Sequence, residues 1–235
     1  LSGFSYNSQS NSIATYITFS GQACGIAYNS DGTRLTVVDS SNDAVTEFNT
    51  SAYGVLVNRI GRFVVSDSAP EGVCFGDNGT KLYYVGSGSD NVYQYDLKQS
   101  YVSVMKTFNT FKSISAQTLT PTGITFSSDG TKMWITDTTN EYILQYTCST
   151  PFDGNTSTYD NIRLQTSTGN LYNNGVTTTP GGTFSVGTDP NGVTIDSTGK
   201  YLFISTDQTD GIVAFFLPTP NALESWSGQR EYIAV

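Results

Sequence analysis

Short runs of alternating apolar residues follow a glycine at four places along the 235-residue chain. In each copy a second apolar run follows a turn that contains glycine, and a third run ends in an aromatic residue 23 positions after the first glycine. Such alternation predicts β-strands, and Asp-Gly or Asn-Gly pairs predict tight hairpins between them. The copies form one repeated unit, which spans Gly25 to Phe48, Gly72 to Tyr95, Gly123 to Tyr146 and Gly192 to Phe215.

A fourth strand signal lies before each opening glycine, at Tyr16-Ile17-Thr18-Phe19, Phe63-Val64-Val65, Phe111 to Ile114 and Phe184-Ser185-Val186. Four antiparallel strands per unit predict an all-β fold, a four-bladed β-propeller, with five blades as the alternative. Four blades are preferred because only four repeat cores can be found. We expect one domain over residues 1–235, in which residues 24–217 form the blades and residues 1–20 and 218–235 supply flanking strands.

Two of the copies share a ten-residue pattern, Gly-Ile-Ala-Tyr-Asn-Ser-Asp-Gly-Thr-Arg and Gly-Ile-Thr-Phe-Ser-Ser-Asp-Gly-Thr-Lys, and another contains Asp-Asn-Val-Tyr-Gln-Tyr-Asp-Leu. Over about residues 15 to 217 the chain resembles propeller repeats of the NHL and YVTN type. It is still more similar to the repeats of structural and tail proteins of aquatic bacteriophages and of bacterial surface proteins. The resemblance implies that each opening glycine begins an innermost strand. The preceding blade would then take its outermost strand from the segment before that glycine, near Phe63, Phe111 and Phe184.

Two terminal segments compete for the outer place in the fourth blade, and they are Tyr16, Ile17, Thr18 and Phe19 at one end and Tyr232, Ile233, Ala234 and Val235 at the other. One strand is therefore surplus. Because an unpaired strand can add to the sheet edge of another subunit, we predict a homo-oligomer or filament that is linked through these residues. The alternatives are a five-stranded blade or a frayed terminus.

The charge balance of the chain argues against two classes of binding partner. It has 11 basic and 20 acidic residues, and the basic residues are scattered singly, which argues against nucleic-acid binding and against an anionic membrane surface. No apolar run is long enough to span a membrane. Charged residues are only 13% of the chain, so Ser, Thr, Asn and Gly fill its polar positions, and we expect an extracellular setting on a virion or a cell-surface appendage.

The chain contains no histidine, which excludes histidine-dependent nucleophiles and histidine metal sites. Acids recur at equivalent turns, where a carboxylate accepts backbone hydrogen bonds; they are Asp31, Asp129, Asp43, Asp90, Glu141 and Asp210. The acidic loop from Asp67 to Glu71 lacks a calcium-binding spacing, so it is interpreted as an ordinary loop. We therefore predict no enzyme, no catalytic residue, no metal and no cofactor, with a carboxylate-based glycoside hydrolase as a minor alternative.

Three cysteines, Cys24, Cys74 and Cys148, allow one disulfide at most, and Cys74 is interpreted as a small buried residue. Three Asn-X-Ser/Thr patterns are possible glycosylation sites, at Asn49, Asn78 and Asn155.

The long insertion from Ser149 to Gly182 carries aromatic and amide residues that the repeat does not explain, namely Phe152, Tyr159, Tyr172, Asn173 and Asn174. They predict a surface for a sugar or a protein partner, or packing against the blade rim. The preferred function is a non-enzymatic structural subunit of an extracellular assembly, such as a phage tail or fibre component or a bacterial surface filament. The alternative is a monomeric module that binds a glycan or a receptor.

Overall fold

The computed structural model describes residues 21–51, 56–180, 189–207, 211–228 and 230–234. Their strands form four antiparallel sheets, which are the blades of a four-bladed β-propeller, and the predicted fold is confirmed. Blade 1 contains β1 (Ala23–Tyr28), β2 (Arg34–Asp39), β3 (Ala44–Thr50) and β4 (Leu56–Val64). Blade 2 contains β5 (Pro70–Gly76), β6 (Lys81–Gly86), β7 (Asn91–Leu97) and β8 (Lys106–Ser113).

Blade 3 is larger than the others. It contains β9 (Pro121–Phe126), β10 (Lys132–Asp137), β11 (Tyr142–Cys148) and β12 (Ser157–Gln165), and its sheet is extended by a hairpin of β13 (Leu171–Asn173) and β14 (Val176–Thr178). Blade 4 contains β15 (Pro190–Ile195), β16 (Tyr201–Thr206), β17 (Gly211–Phe216) and β18 (Arg230–Ala234). Three short 3-10 turns lie at Asp77–Gly79, Gly154–Thr156 and Leu223–Ser225.

The turn acids act as the sequence predicts. The carboxylate of Asp31 accepts a hydrogen bond from the backbone N–H of Thr33 at 2.9 Å, and Gly32 takes the positive φ of 70° that the turn requires. Asp129 does the same for the N–H of Thr131 at 3.0 Å. At the second hairpin of blades 1 to 3 the acid itself has positive φ, at Asp43, Asp90 and Glu141, whereas Asp210 lies outside the described residues.

The outer strand of blade 3 lies elsewhere than the phasing predicts. That prediction placed it near Phe184, which is outside the described residues, but β12 pairs antiparallel with β11 inside the supposed loop insertion. Ile162 and Leu164 of β12 are buried in the apolar cluster between blades 3 and 4. The alternation of these buried residues fixes the strand and its register, so the prediction of a loop insertion is corrected.

The C-terminal segment completes blade 4. Strand β18 pairs antiparallel with β17, with Ile233 opposite Ile212 and Tyr232 opposite Val213. The other terminal candidates, Tyr16 to Phe19 and Val235, lie outside the described residues. Pairing of either terminus with a neighbouring subunit therefore stays a prediction.

Apolar clusters join consecutive blades, because two adjacent positions of each second strand point to opposite faces of the sheet. The position ten residues after the opening glycine faces the preceding blade, as Leu82, Met133 and Leu202 do. The next position faces the following blade, where Tyr83 and Trp134 are fully buried. Each blade thus covers one face of its neighbour.

A buried side-chain acceptor also joins each blade to the next. One residue before the closing aromatic, the side chains of Glu47, Gln94 and Gln145 point out of the third strand towards the following blade. Each accepts a hydrogen bond from a backbone N–H there, on Val104 at 3.1 Å, Gly154 at 2.9 Å and Leu223 at 2.8 Å respectively. We call these three residues the inter-blade acceptors; the equivalent residue of blade 4 is Ala214.

The acceptor of blade 2 provides a test of this interaction. Gln94→Leu keeps the volume but leaves the N–H of Gly154 buried without a partner, so we expect the free energy of unfolding to fall by about 1 to 3 kcal/mol. Gln99→Leu, at an exposed position, is the matched control and should change it by less than about 0.5 kcal/mol. Urea denaturation measures both, and equal losses for the two variants would show that the acceptor contributes nothing.

Candidate functional site

The four innermost strands meet around a small central channel of about 190 Å³. The opening glycines of all four repeats line it, and close backbone approach explains them. A Cβ at Gly25 would lie 2.4 Å from the carbonyl oxygen of Glu71, and one at Gly72 would lie 2.6 Å from that of Thr122. The repeat glycines are therefore needed to pack one inner strand on the next.

The residues before the four glycines are Cys24, Glu71, Thr122 and Asn191, and all of them except Glu71 line the channel. Thr122 donates its hydroxyl hydrogen to the carbonyl oxygen of Pro190 at 2.7 Å, and the Cys24 thiol lies 3.1 Å from the Ser40 hydroxyl. Glu71 is the one carboxylate among the four. Burial raises its pKa, while a hydrogen bond with Cys24 opposes the rise.

One carboxylate does not make a glycoside-hydrolase site, which needs two across the scissile bond. Other buried acids are engaged within the fold: Glu47 is an inter-blade acceptor, and Asp39 accepts from the N–H groups of Gln22 and Ser41, each at 3.1 Å. Asp67 likewise accepts from Ala69 at 2.9 Å and from Gly88 at 3.1 Å. Among the described residues, no group of three or more Cys, Asp or Glu side chains is placed to hold a metal ion.

Phe152, the first residue of the predicted ligand surface, is half-buried and packs against blade 2. Its ring centroid lies 6.2 Å from that of Phe126, and its carbonyl oxygen accepts a hydrogen bond from the Tyr83 hydroxyl at 2.5 Å. A Cβ at Gly130 would lie 2.3 Å from the Phe152 ring, so this ring also explains that glycine. Phe152 belongs to the contact between blades 2 and 3.

Tyr159 and Tyr172 do come together, in a surface cleft of about 360 Å³ at the outer edge of blade 3. Its lining residues are Tyr159, Asn161, Arg163, Tyr172 and Gly175, and we call it the Arg163 cleft. The Arg163 guanidinium carbon lies 4.7 Å from the ring centroids of both Tyr142 and Tyr172, which hold it on two adjacent sides. Burial raises the pKa of Tyr159, and the positive charge of Arg163 opposes that rise.

Asn173 ends β13, and Asn174 and Gly175 form the turn to β14. Asn174 has a φ of 49° and Gly175 a φ of 85°, and the Asn174 amide donates to the Asn173 side-chain oxygen at 2.8 Å. Asn-Gly is a strong hairpin signal, which could have revealed this hairpin from the sequence. Arg163 and Tyr142 have no comparable signal, because only the pairing of β11, β12 and β13 brings them beside Tyr172.

The remaining candidates are dispersed. Asn78 and Asn155 are exposed, while the Asn49 amide donates to the Asn58 side-chain oxygen at 3.1 Å. All three cysteines are free thiols, and burial raises the pKa of Cys148 to about 11. Cys74, which was interpreted as a buried residue, is partly buried and packs against the cluster between blades 2 and 3. No helix in the described part of the chain is long and apolar enough to cross a membrane.

No protein-family model and no curated protein sequence matches the chain. Among solved structures it is similar to a candidate 6-phosphogluconolactonase from Bacteroides fragilis, with a TM-score of 0.54 and 17% identity over 91% of this chain and 54% of that chain. For the periplasmic gluconolactonase PpgL of Pseudomonas aeruginosa the TM-score is 0.55, with 12% identity over 92% of this chain and 55% of that one. For the β-propeller domain of Cps50 (Swd1) from Myceliophteria thermophila the TM-score is 0.51, with 10% identity over 91% of this chain and 58% of that one.

The chain therefore spans just over half the length of each of these three structures. At such identities the likeness shows the fold alone, because propellers carry many unrelated activities. The NHL or YVTN type of the repeat and the likeness to phage and surface proteins stay predictions. By fold, the chain is a β-propeller.

Proposed function

We propose that the chain is a non-enzymatic structural subunit of an extracellular assembly, which joins further copies of itself through the outer faces of its two end blades. The observation that carries this proposal is a partly exposed apolar face on blade 4, which includes two repeat positions that the preceding blades bury against a neighbour.

The repeat makes the comparison position by position. Tyr83 and Trp134 are fully buried against the following blade, whereas the equivalent Phe203 of blade 4 is half-buried. On the third strand Ile143 is fully buried, but the equivalent Ile212 is 38% exposed. Blade 4 thus has the side chains of an inter-blade contact while the described residues leave them partly open to solvent.

Blade 4 also replaces a charged pair with an aromatic pair. In blade 2 the Lys81 ammonium lies 2.9 Å from the Asp96 carboxylate. The equivalent residues of blade 4 are Tyr201 and Phe216, whose ring centroids lie 5.4 Å apart, and Tyr201 is 44% exposed. We call Tyr201, Phe203, Ile212 and Phe216 the blade 4 face. An apolar patch of this kind marks an interaction surface.

Blade 1 has the complementary half of such a contact. Ile26 and Tyr28 occupy the positions that face a preceding blade, and they are 63% and 43% exposed. The equivalent Ile124 of blade 3 is 2% exposed. We call Ile26 and Tyr28 the blade 1 face. No apolar cluster of the described residues joins blade 4 to blade 1.

These two faces favour a second copy as the occupant. Blade 4 of one copy against blade 1 of the next would continue the contact that the chain already makes between its own consecutive blades. The contact is head-to-tail, so it closes into a ring or extends as a filament, depending on the rotation between copies. Blade 4 has Ala214 at the inter-blade acceptor position, so the contact between copies is apolar. We expect this contact to form reversibly as the protein concentration rises.

The chemistry of the chain supports a non-enzymatic role. Two of the similar structures are named as lactonases, but the likeness to them is one of fold and covers about half of each. This sequence has no histidine, and Glu71 is the one carboxylate among the four residues that precede the channel glycines. The extracellular setting is supported by the low content of charged residues, 13%.

The blade 4 face can be made as polar as blade 2. Tyr201→Lys combined with Phe216→Asp installs the charged pair that Lys81 and Asp96 form in blade 2. In analytical ultracentrifugation we expect the unmodified chain to gain mass with concentration and the double variant to remain monomeric, because apolar burial drives the contact. Leu119→Lys, at a 65% exposed position away from both faces, is the control and should still assemble.

A chain that stays monomeric at all concentrations would refute self-assembly altogether. Assembly by the double variant that is lost on deleting residues 1–20 would instead locate the link in the N-terminal segment, as the sequence predicted.

The non-enzymatic role has its own test, with 6-phosphogluconolactone as substrate. We expect hydrolysis in the presence of the protein to equal the spontaneous rate, because Glu71 is the one carboxylate among the residues that precede the channel glycines and the sequence has no histidine to act with it. A faster rate that Glu71→Gln abolishes would overturn this role and identify Glu71 as the catalytic group.

Glu71→Gln should also change the stability. Because burial raises the pKa of Glu71 in the folded state, the protonated form is favoured by folding, and that contribution is lost as the pH rises through the folded-state pKa. A glutamine at this position is neutral at every pH, so the variant keeps this contribution to stability. Thermal melts should therefore show a higher Tm for the variant at about pH 7, and no difference at about pH 3, below the ordinary pKa of glutamate. An unchanged Tm at both values would show that the burial of Glu71 costs nothing.

A further inference from the structure

We propose that the Arg163 cleft binds a saccharide that carries a carboxylate, of the uronic acid type. This site is separate from the end-blade faces, and it does not depend on assembly. It lies on β12 and on the β13–β14 hairpin, which blade 3 has in addition to a complete set of four strands.

The first argument is that Arg163 has no ion-pair partner among the described residues. The ion pairs of the described residues are formed by Arg34, Lys81 and Lys132, and Arg163 takes part in none of them. Its Nε atom is buried without a hydrogen-bond partner. In a chain with 20 acidic and 11 basic residues, an arginine held at a cleft without a carboxylate is free to receive one from a ligand.

The second argument is the fixed position of the guanidinium. The ring centroids of Tyr142 and Tyr172 lie 4.7 Å from it on adjacent sides, and the two rings contact each other edge to face, with centroids 5.9 Å apart and an interplanar angle of 80°. A clamped guanidinium loses little side-chain entropy on binding. Its planar fork of N–H donors matches the two oxygens of a carboxylate.

The third argument is the lining around it. Strands β11 and β12 lose register between the pairs Gln145–Ile162 and Tyr146–Tyr159, so Asp160 and Asn161 form a bulge. A bulge redirects side chains, and Asn161, with a φ of 57°, lines the cleft together with Tyr159. An amide and a phenol hydroxyl supply the donors and acceptors that sugar hydroxyls need.

The size and the mouth of the cleft fit a single sugar ring. Its volume of about 360 Å³ lies at the lower end of the range for small-molecule sites. Gly175 stands at the hairpin turn, where a side chain would meet nothing within 4 Å, so the mouth is open. An open mouth admits either a free uronic acid or one unit of a polysaccharide.

The test measures binding of glucuronic acid by titration calorimetry, with glucose as the neutral match and acetate as the carboxylate without a sugar. We expect saturable binding of glucuronic acid, at least about tenfold tighter than that of either control, because only glucuronic acid meets both the guanidinium and the polar lining. If acetate binds as tightly as glucuronic acid, the cleft is a general anion site. If glucose binds as tightly, the guanidinium of Arg163 does not contribute to recognition. Either result overturns the proposal, as does the absence of binding.

Variants then assign the binding to the cleft. Arg163→Gln should weaken glucuronic acid binding by about tenfold or more, whereas Arg163→Lys, which keeps the charge but not the fork, should weaken it less. Asn161→Gly removes an exposed side chain and accepts the φ of 57° without strain, so it tests the lining without disturbing the bulge, and it should weaken binding a few-fold. Arg59→Gln, an exposed arginine of blade 1, is the control. If the two Arg163 variants and the Asn161 variant bind like the unmodified chain, the site is elsewhere and the proposal fails.

An oligomer of glucuronic acid distinguishes the two sources of the ligand. Tighter binding per chain of the oligomer than of the free acid, lost in Arg163→Gln, would identify a polysaccharide as the ligand. Equal affinity would identify the free acid. If Arg163→Gln lowers the Tm and the unmodified chain does not bind glucuronic acid, Arg163 is part of the packing of blade 3 only, and the proposal is wrong.

Discussion

The fold depends on the contact between consecutive blades, which the chain makes three times within its described part. Each contact combines backbone approach at an opening glycine, a large side chain in the neighbour's apolar cluster, and a buried carbonyl or carboxylate that accepts a backbone N–H across the joint. The N–H groups on Val104, Gly154 and Leu223 lie in segments after the third strand, where no sheet ladder satisfies them. The acceptor therefore fixes the connecting segment of one blade to the strands of the blade before it.

The constraint also explains which parts of the repeat vary. The acceptor position is Glu47 in blade 1 and Gln94 in blade 2, because either side chain presents an oxygen to the N–H. Glu47 is additionally paired with Arg34, and the Ser103 hydroxyl donates to it at 2.8 Å, which compensates the burial of its charge. Gln145 uses its second group as well, since its amide donates to Asp160 at 2.8 Å. The same place in the repeat can thus hold a charged or a neutral group, provided that its surroundings change with it.

The sequence predicted the features that residues close together in the chain determine, and it missed those that depend on the pairing of distant strands. The blades, the glycine turns and the turn acids depend on residues a few positions apart, so periodicity and turn chemistry predicted them. The prediction for the outer strand of blade 3 was wrong because it used the segment before the next glycine. That choice suits blades 1 and 2, where β4 and β8 end shortly before Gly72 and Gly123. The clamp around Arg163 was missed because three strands must be in register before Tyr142, Arg163 and Tyr172 meet.

The departures from the repeat are more informative about function than its constant residues. Blade 4 keeps the apolar residue at Phe203 but loses the acceptor at Ala214 and gains Tyr201 and Phe216, so it is suited to an apolar contact that need not satisfy a partner's N–H. Blade 3 keeps every inter-blade element and adds a hairpin beyond its outermost strand, where an extra structure does not disturb the packing of the ring. Changes at a lateral face alter what the blade packs against, and changes at the outer edge alter what the surface can bind. The two kinds of departure can therefore act independently in one molecule.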